Sequence, residues 1–145
     1  MADREQTIEV YQSFFAVARQ LKRLAHQSAA NLGLTVHQIG ILNFLRQHPG
    51  QTQKEVTERL VFNKSRVSLQ IDALALKELV TRSVSELDRR ETRLYLTEEG
   101  EALCLRYNEE AWSHKVLGEA LEQFSAQELE QLIHMNKLLL LHLNP

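Results

Sequence analysis

The stretch LVTRSVSELDRRETRLYLTEEG, Leu79 to Gly100, changes character three times in one short span. Val80 to Glu86 and Arg93 to Leu96 are short runs rich in β-branched or aromatic residues, as strands are. Between them lies a charged, glycine-free tip containing Asp88, Arg89 and Arg90. The pattern predicts a β-hairpin. Thr97, followed by Glu98 and Glu99, then reads as a helix N-cap with acids on the positive helix end. The helix it opens is expected to reach about Phe124.

Working back from the hairpin, Asn63 is placed to cap a helix running to about Leu79, with Val67, Ile71 and Leu74 as its inward stripe. Before it, Thr52-Gln-Lys-Glu55 has the capping-box form and starts a short helix with Val56 and Leu60 inward. Thr35-Val-His-Gln38 is another such box; its helix buries Ile39, Leu42 and Leu45 and ends at His48-Pro-Gly50. Residues 5–31 carry Ile8, Tyr11, Phe14, Phe15, Ala18, Leu21, Leu24 and Ala25 at three- and four-residue intervals, the spacing of a long helix stopped by Asn31-Leu-Gly33. Forward of the hairpin, Ser125-Ala-Gln-Glu128 opens the last helix.

The fold class that follows is mainly α with a small β-hairpin wing. Residues 1–145 form a single domain: a winged helix-turn-helix over 34–100, with terminal helices 5–31 and 101–145 outside it. Size agrees, since 145 residues suit one domain with a real core.

Composition excludes several classes. The opening MADREQ has no apolar run, so no signal peptide is expected. Apolar runs such as Leu138 to Leu141 are far too short to cross a bilayer. One cysteine, Cys104, rules out an intrachain disulfide and a multi-cysteine zinc site. The expectation is a cytoplasmic protein. Net charge is −2, but it is unevenly spread: residues 54–96 hold 9 Lys/Arg against 7 Asp/Glu, and 97–145 hold 3 against 9. A basic front on an acidic back suits an electrostatic footprint on one face.

An α-helix fits the major groove of B-DNA, where base edges show distinguishable donor and acceptor patterns. The first half of the Asn63 helix displays Asn63, Lys64, Ser65, Arg66, Ser68 and Gln70, all hydrogen-bond donors. Lys64 and Arg66 suit phosphates or guanine; Ser65, Ser68 and Gln70 suit bases or backbone. Arg89, Arg90 and Arg93 make the hairpin basic as well. The candidate DNA-binding set is therefore these nine residues.

The chain resembles the MarR/SlyA family of bacterial regulators. The resemblance runs from LTVHQIGIL (34–42) through HPGQTQKEV (48–56) and SRVSLQIDAL (65–74) to the hairpin. Its most diagnostic part is Asp88-x-Arg90, then Leu94, Leu96-Thr97 and Gly100. It implies that Arg90 enters the minor groove from the wing tip and that Asp88 braces the tip. Two positions depart from the family's pattern. Glu78 stands where the family often has Gly, implying a slightly different or mildly strained helix exit. Leu69 stands where it often has Arg; it is placed either to touch a thymine methyl or to fold back into the core, and the core is the favoured expectation.

Residues 132–143, LIHMNKLLLLHL, are apolar almost all round, more than one side of a lone helix uses. Packing against the first helix and a second copy predicts a homodimer that binds a pseudo-palindromic operator on double-stranded DNA. The resemblance further implies release by a small aromatic anion, with Phe15, Arg19 and His37 as the candidate effector pocket. The expected function is a repressor. Two alternatives remain: a winged-helix protein–protein adaptor, and a redox- or metal-responsive regulator acting through Cys104 or through Glu110/His114 and Glu130/His134. Cys104 reads better as a buried structural thiol, and those i, i+4 pairs as solvated helix contacts. No cofactor, resident metal, membrane partner or catalytic constellation is expected.

Overall fold

The computed structural model describes residues 1–60 and 62–143. Its elements, in chain order, are α1 (Arg4–Asn31), α2 (Val36–Gln47), β1 (Gln51–Thr52), α3 (Gln53–Leu60), α4 (Lys64–Leu76), β2 (Val80–Val84), β3 (Thr92–Leu96), α5 (Glu98–Glu110), α6 (Trp112–Leu121) and α7 (Ala126–Leu143). Each predicted capping box closes in both directions. Gln38 N–H donates to Thr35 Oγ1 at 3.1 Å and Thr35 N–H to Gln38 Oε1 at 3.0 Å. Thr52 with Glu55, and Ser125 with Glu128, repeat the arrangement. A fourth box, Asp3 with Gln6, starts α1.

The core sits between α2, α3, α4, α5 and the wing. Ile41, Leu42, Leu45, Val56, Val67, Ile71, Leu74, Leu94 and Cys104 are its fully buried side chains. The α4 stripe Val67, Ile71, Leu74 thus packs inward as its spacing requires. The terminal helices behave differently. In α1 only Ser28 and Ala29 are buried, and in α7 no residue is.

The wing is larger than a hairpin. Its sheet has three antiparallel strands in the order β1-β3-β2, with Thr81 opposite Tyr95, Ser83 opposite Arg93, and Gln51 opposite Leu94. Gly50 makes the third strand possible: its φ of +82° turns the chain after Pro49, and its N–H donates to Leu94 O at 3.0 Å. A two-residue strand shows no alternation, so nothing in the sequence announces it.

The helix expected from Thr97 to Phe124 is broken at Ala111, which adopts φ −60° and ψ 127° between α5 and α6. No Gly or Pro causes this. Ala111 is buried, and the buried Ser28 hydroxyl of α1 accepts the Ser113 N–H at 3.2 Å. Packing across the two helices overrides local propensity there.

Helix α4 ends at Leu76, earlier than Leu79, in a left-handed exit at Glu78 with φ 61°. Glu78 N–H reaches Ala75 O and Leu79 N–H reaches Leu74 O, both at 3.0 Å, which is a Schellman closure. Glycine is the usual residue at that position, and a side chain there costs about 1–2 kcal/mol. Glu78→Gly is therefore expected to raise stability by roughly 0.5–1 kcal/mol after the greater unfolded-state freedom of Gly is counted. Equal or lower stability of the variant in chemical denaturation counts against strain at this exit.

Candidate nucleic-acid interface

Taking about 100° per residue, the buried face of α4 centres on Val67, Ile71 and Leu74, and the opposite face carries Ser65, Leu69, Asp72 and Leu76. Lys64 and Arg66 are exposed in the first turn of the helix, while Ser68 and Gln70 are half-buried on its flanks. Asn63 is spent on capping: its Oδ1 accepts from Ser65 N–H at 2.9 Å and from the Ser65 hydroxyl. Of the predicted set on this helix, Lys64 and Arg66 are the charged groups that project freely enough to meet a phosphate.

Leu69 corrects an expectation. Its apolarity predicts a place in the core, yet it is 69% exposed on the outer face. The reason is angular: the inward arc is already filled by Val67, Ile71 and Leu74, and position 69 points almost directly away from it.

The wing tip is built from backbone hydrogen bonds. Asp88 Oδ1 accepts the Arg90 N–H at 3.0 Å, and Asp88 O accepts the Glu91 N–H at 3.0 Å. Asp88 therefore folds the tip as an Asx turn, rather than through an ion pair with Arg90. Among the described residues, neither the Arg89 nor the Arg90 guanidinium has an ion-pair partner. Arg93 is different. It donates to Gly50 O at 2.9 Å and pairs with Glu91 at 3.1 Å, so it fastens β3 to the turn before β1. Its geometry is that of a wing anchor.

Arg82 of β2 pairs with Asp72 of α4, joining the wing's base to the outer face of that helix. Local sequence patterns could not supply this contact, since the partners lie on different elements. It also offsets the negative charge that Asp72 would otherwise place on that face.

The three residues expected to form an effector pocket are not brought together. Phe15 lines an apolar groove of about 560 Å³ between α1 and α7, with Tyr11, Phe14, Leu139, Leu140 and Leu143 among its neighbours. Arg19 is exposed one turn further along α1. His37 lies on α2, with Nε2 3.3 Å from Arg66 and its ring edge-on to Phe62 at 5.0 Å. Its pKa is held below the ordinary 6.5, first by burial, then by the positive charges of Arg66, Lys22 and His26. Because the folded value is the lower one, the unfolded chain binds the extra proton first; stability is full above about pH 6.5 and falls as pH drops through the folded pKa. An NMR titration should place the His37 midpoint below 6.5, and Arg66→Ala should move it part-way back. A midpoint that ignores Arg66 would contradict the contact.

The Cys104 thiol is buried, donates to Asn43 Oδ1 at 2.8 Å and has its pKa raised by burial. That is the setting of an unreactive structural thiol. Glu110 is engaged by Arg106 at 3.0 Å, and the His114 ring packs edge-on against Tyr107.

This arrangement has counterparts. The MarR family model matches residues 32–91, which span α2 through the wing tip. Over that span the chain is similar to the MarR family. Proteins of that family are transcriptional regulators and not enzymes. The chain is 27% identical over 128 residues to the HTH-type transcriptional repressor MdtR of Bacillus subtilis, covering 88% of this chain and 81% of that one. A MarR family protein from Bacillus stearothermophilus superposes with a TM-score of 0.85 at 21% identity over the whole of both chains. A cysteine-to-serine variant of Escherichia coli MarR, solved with operator DNA, gives 0.77 at 22% identity over 96% of this chain and 99% of that one. At such identities the structural likenesses establish the shared fold.

Proposed function

We propose that this chain is a homodimeric MarR-type repressor that binds a pseudo-palindromic operator through α4 and the wing. The observation that carries the reading is the pairing of two basic, outward-facing elements on one body. Lys64 and Arg66 open α4, while Arg89 and Arg90 stand unpaired among the described residues at the wing tip. The Arg82–Asp72 pair ties the wing to α4, and the Arg93–Gly50 bond fastens the wing's own strands. Relatives support it: MdtR is named a repressor, and an E. coli MarR has been solved on operator DNA.

Dimerisation draws support from the terminal helices. Tyr11, Phe14 and Phe15 of α1 and Leu139, Leu140 and Leu143 of α7 are all exposed in the single chain. Such a contiguous apolar surface is a liability unless another chain covers it. Twofold symmetry would set the two α4 helices about 34 Å apart, one turn of DNA. No helix among the described residues is long and apolar enough to cross a membrane, and a cytoplasmic site of action is part of the proposal.

Release by a small aromatic anion remains part of this reading, but Phe15, Arg19 and His37 would need the partner chain, or a rearrangement, to form one pocket. The test of the DNA reading is electrostatic. Replacing Lys64 or Arg66 by Ala should lower the salt slope of log K for duplex binding by about one for each phosphate left unneutralised. Two chains should bind per operator. A wild-type protein that ignores duplex DNA at low salt is instead an adaptor.

A further inference from the structure

We propose that Leu69 reads the 5-methyl group of a pyrimidine, thymine or 5-methylcytosine, in the operator's major groove. The inference rests on the DNA-binding reading above and deepens it from general attraction to a specific base contact.

Three observations lead to it. Leu69 is 69% exposed and points away from the core stripe of its own helix. It lies one turn after Ser65 and Arg66, so an apolar side chain is set among polar and charged ones on the surface that meets DNA. Lastly, the acid next on that face, Asp72, is held by Arg82 and does not repel an approaching duplex as a lone carboxylate would.

Groove chemistry then selects the ligand. Major-groove base edges present nitrogen and oxygen donors and acceptors, and a C5 methyl is the apolar group among them. A leucine has no hydrogen-bonding atom to offer a guanine or an adenine. What it does is exclude water from a methyl, while opposite a purine's polar edge it would strand an acceptor without a partner. A preference for a methylated pyrimidine at one position per half-site follows.

The experiment uses the full-length chain and an operator selected from random duplexes. Each thymine is replaced in turn by uracil, which removes the methyl and leaves every hydrogen-bonding atom in place. Burial of one methyl corresponds to about a fourfold change in affinity per half-site, and about fifteenfold when both half-sites are altered. The expected result is one thymine per half-site with that sensitivity, lost in Leu69→Ala and kept in Leu76→Ala, whose side chain lies two turns further along the same face. At that position cytosine should bind less well than 5-methylcytosine, whichever of the two the natural operator uses. Leu69 is exposed, so its replacement leaves the core intact, and circular dichroism verifies that.

The proposal is overturned if wild type tolerates uracil everywhere, which would leave Leu69 to a protein partner. It is also overturned if Leu69→Ala keeps the full uracil response, or if Leu76→Ala abolishes it. Absence of any salt-sensitive duplex binding by wild type would instead bring down the DNA-binding reading itself.

Discussion

Arg90→Ala is expected to weaken operator binding on the order of 10³-fold while leaving the dimer and the fold unchanged. A well-placed arginine contact in a groove is worth about 2 kcal/mol, and a dimer forfeits two of them. The narrow minor groove of an A-tract, with its enhanced negative potential, is the surface such a side chain suits. What makes Arg90 rather than Arg89 the focus is the turn beneath it. The Asp88 carboxylate accepts the Arg90 N–H and so fixes where that residue leaves the backbone. Asp88→Ala should therefore reproduce part of the loss, whereas Asp88→Asn should not, since an amide oxygen accepts the same N–H. Fluorescence anisotropy at physiological salt checks the series. Unchanged affinity for Arg90→Ala removes the wing from the interface.

Gly100→Ala should be the most damaging small change in the molecule for stability. A Cβ at Gly100 would lie 2.1 Å from the Leu79 carbonyl oxygen and 3.1 Å from its carbon. Both are backbone atoms held by the exit of α4, so no side chain can swing aside. The surroundings are equally committed. The Thr97 hydroxyl donates to Glu78 O at 2.7 Å and accepts from Gly100 N–H at 3.0 Å, while Thr97 N–H donates to Leu79 O at 3.1 Å. Relief requires moving α5 away from the start of β2. A loss of about 3 kcal/mol or more is expected, a drop in Tm of roughly 6–12 °C for a chain of this size. Wild-type thermal stability in this variant would mean that the junction is not packed as described.

How legible each part was depended on whether its cause was local. Capping boxes at Thr35, Thr52 and Ser125 declare themselves because donor and acceptor sit three residues apart, and all three form. The inward stripe of α4 is readable from spacing alone. Glu78 is marked by the absence of the usual Gly, and it does hold a positive φ. What escapes has distant causes. Strand β1 exists because Leu94 and Arg93 lie alongside it, and the break at Ala111 because Ser28, 85 residues from Ser113, accepts a hydrogen bond there. Within the site, residue types are readable but their employment is not. Arg93 looks like Arg90 in the sequence, yet Gly50, 43 residues away, claims it. Apolarity alone assigns Leu69 to the core, when its angular position sends it outward. Chemistry groups His37 with Phe15 and Arg19, whereas α2 turns it toward Arg66.

Strand β1 has a mechanical consequence. Thr52 is at once the second residue of a wing strand and the residue whose side chain caps α3. Torque applied to the wing tip is thereby delivered to the first helix of the helix-turn-helix with no compliant linker between them. Arg82 and Thr97 clamp the other end of the sheet to α4 and its exit. Wing and helices consequently form one stiff gripping head. A switch acting on a dimer of such heads gains little by bending a wing, and its effective lever is the distance and tilt between the two heads.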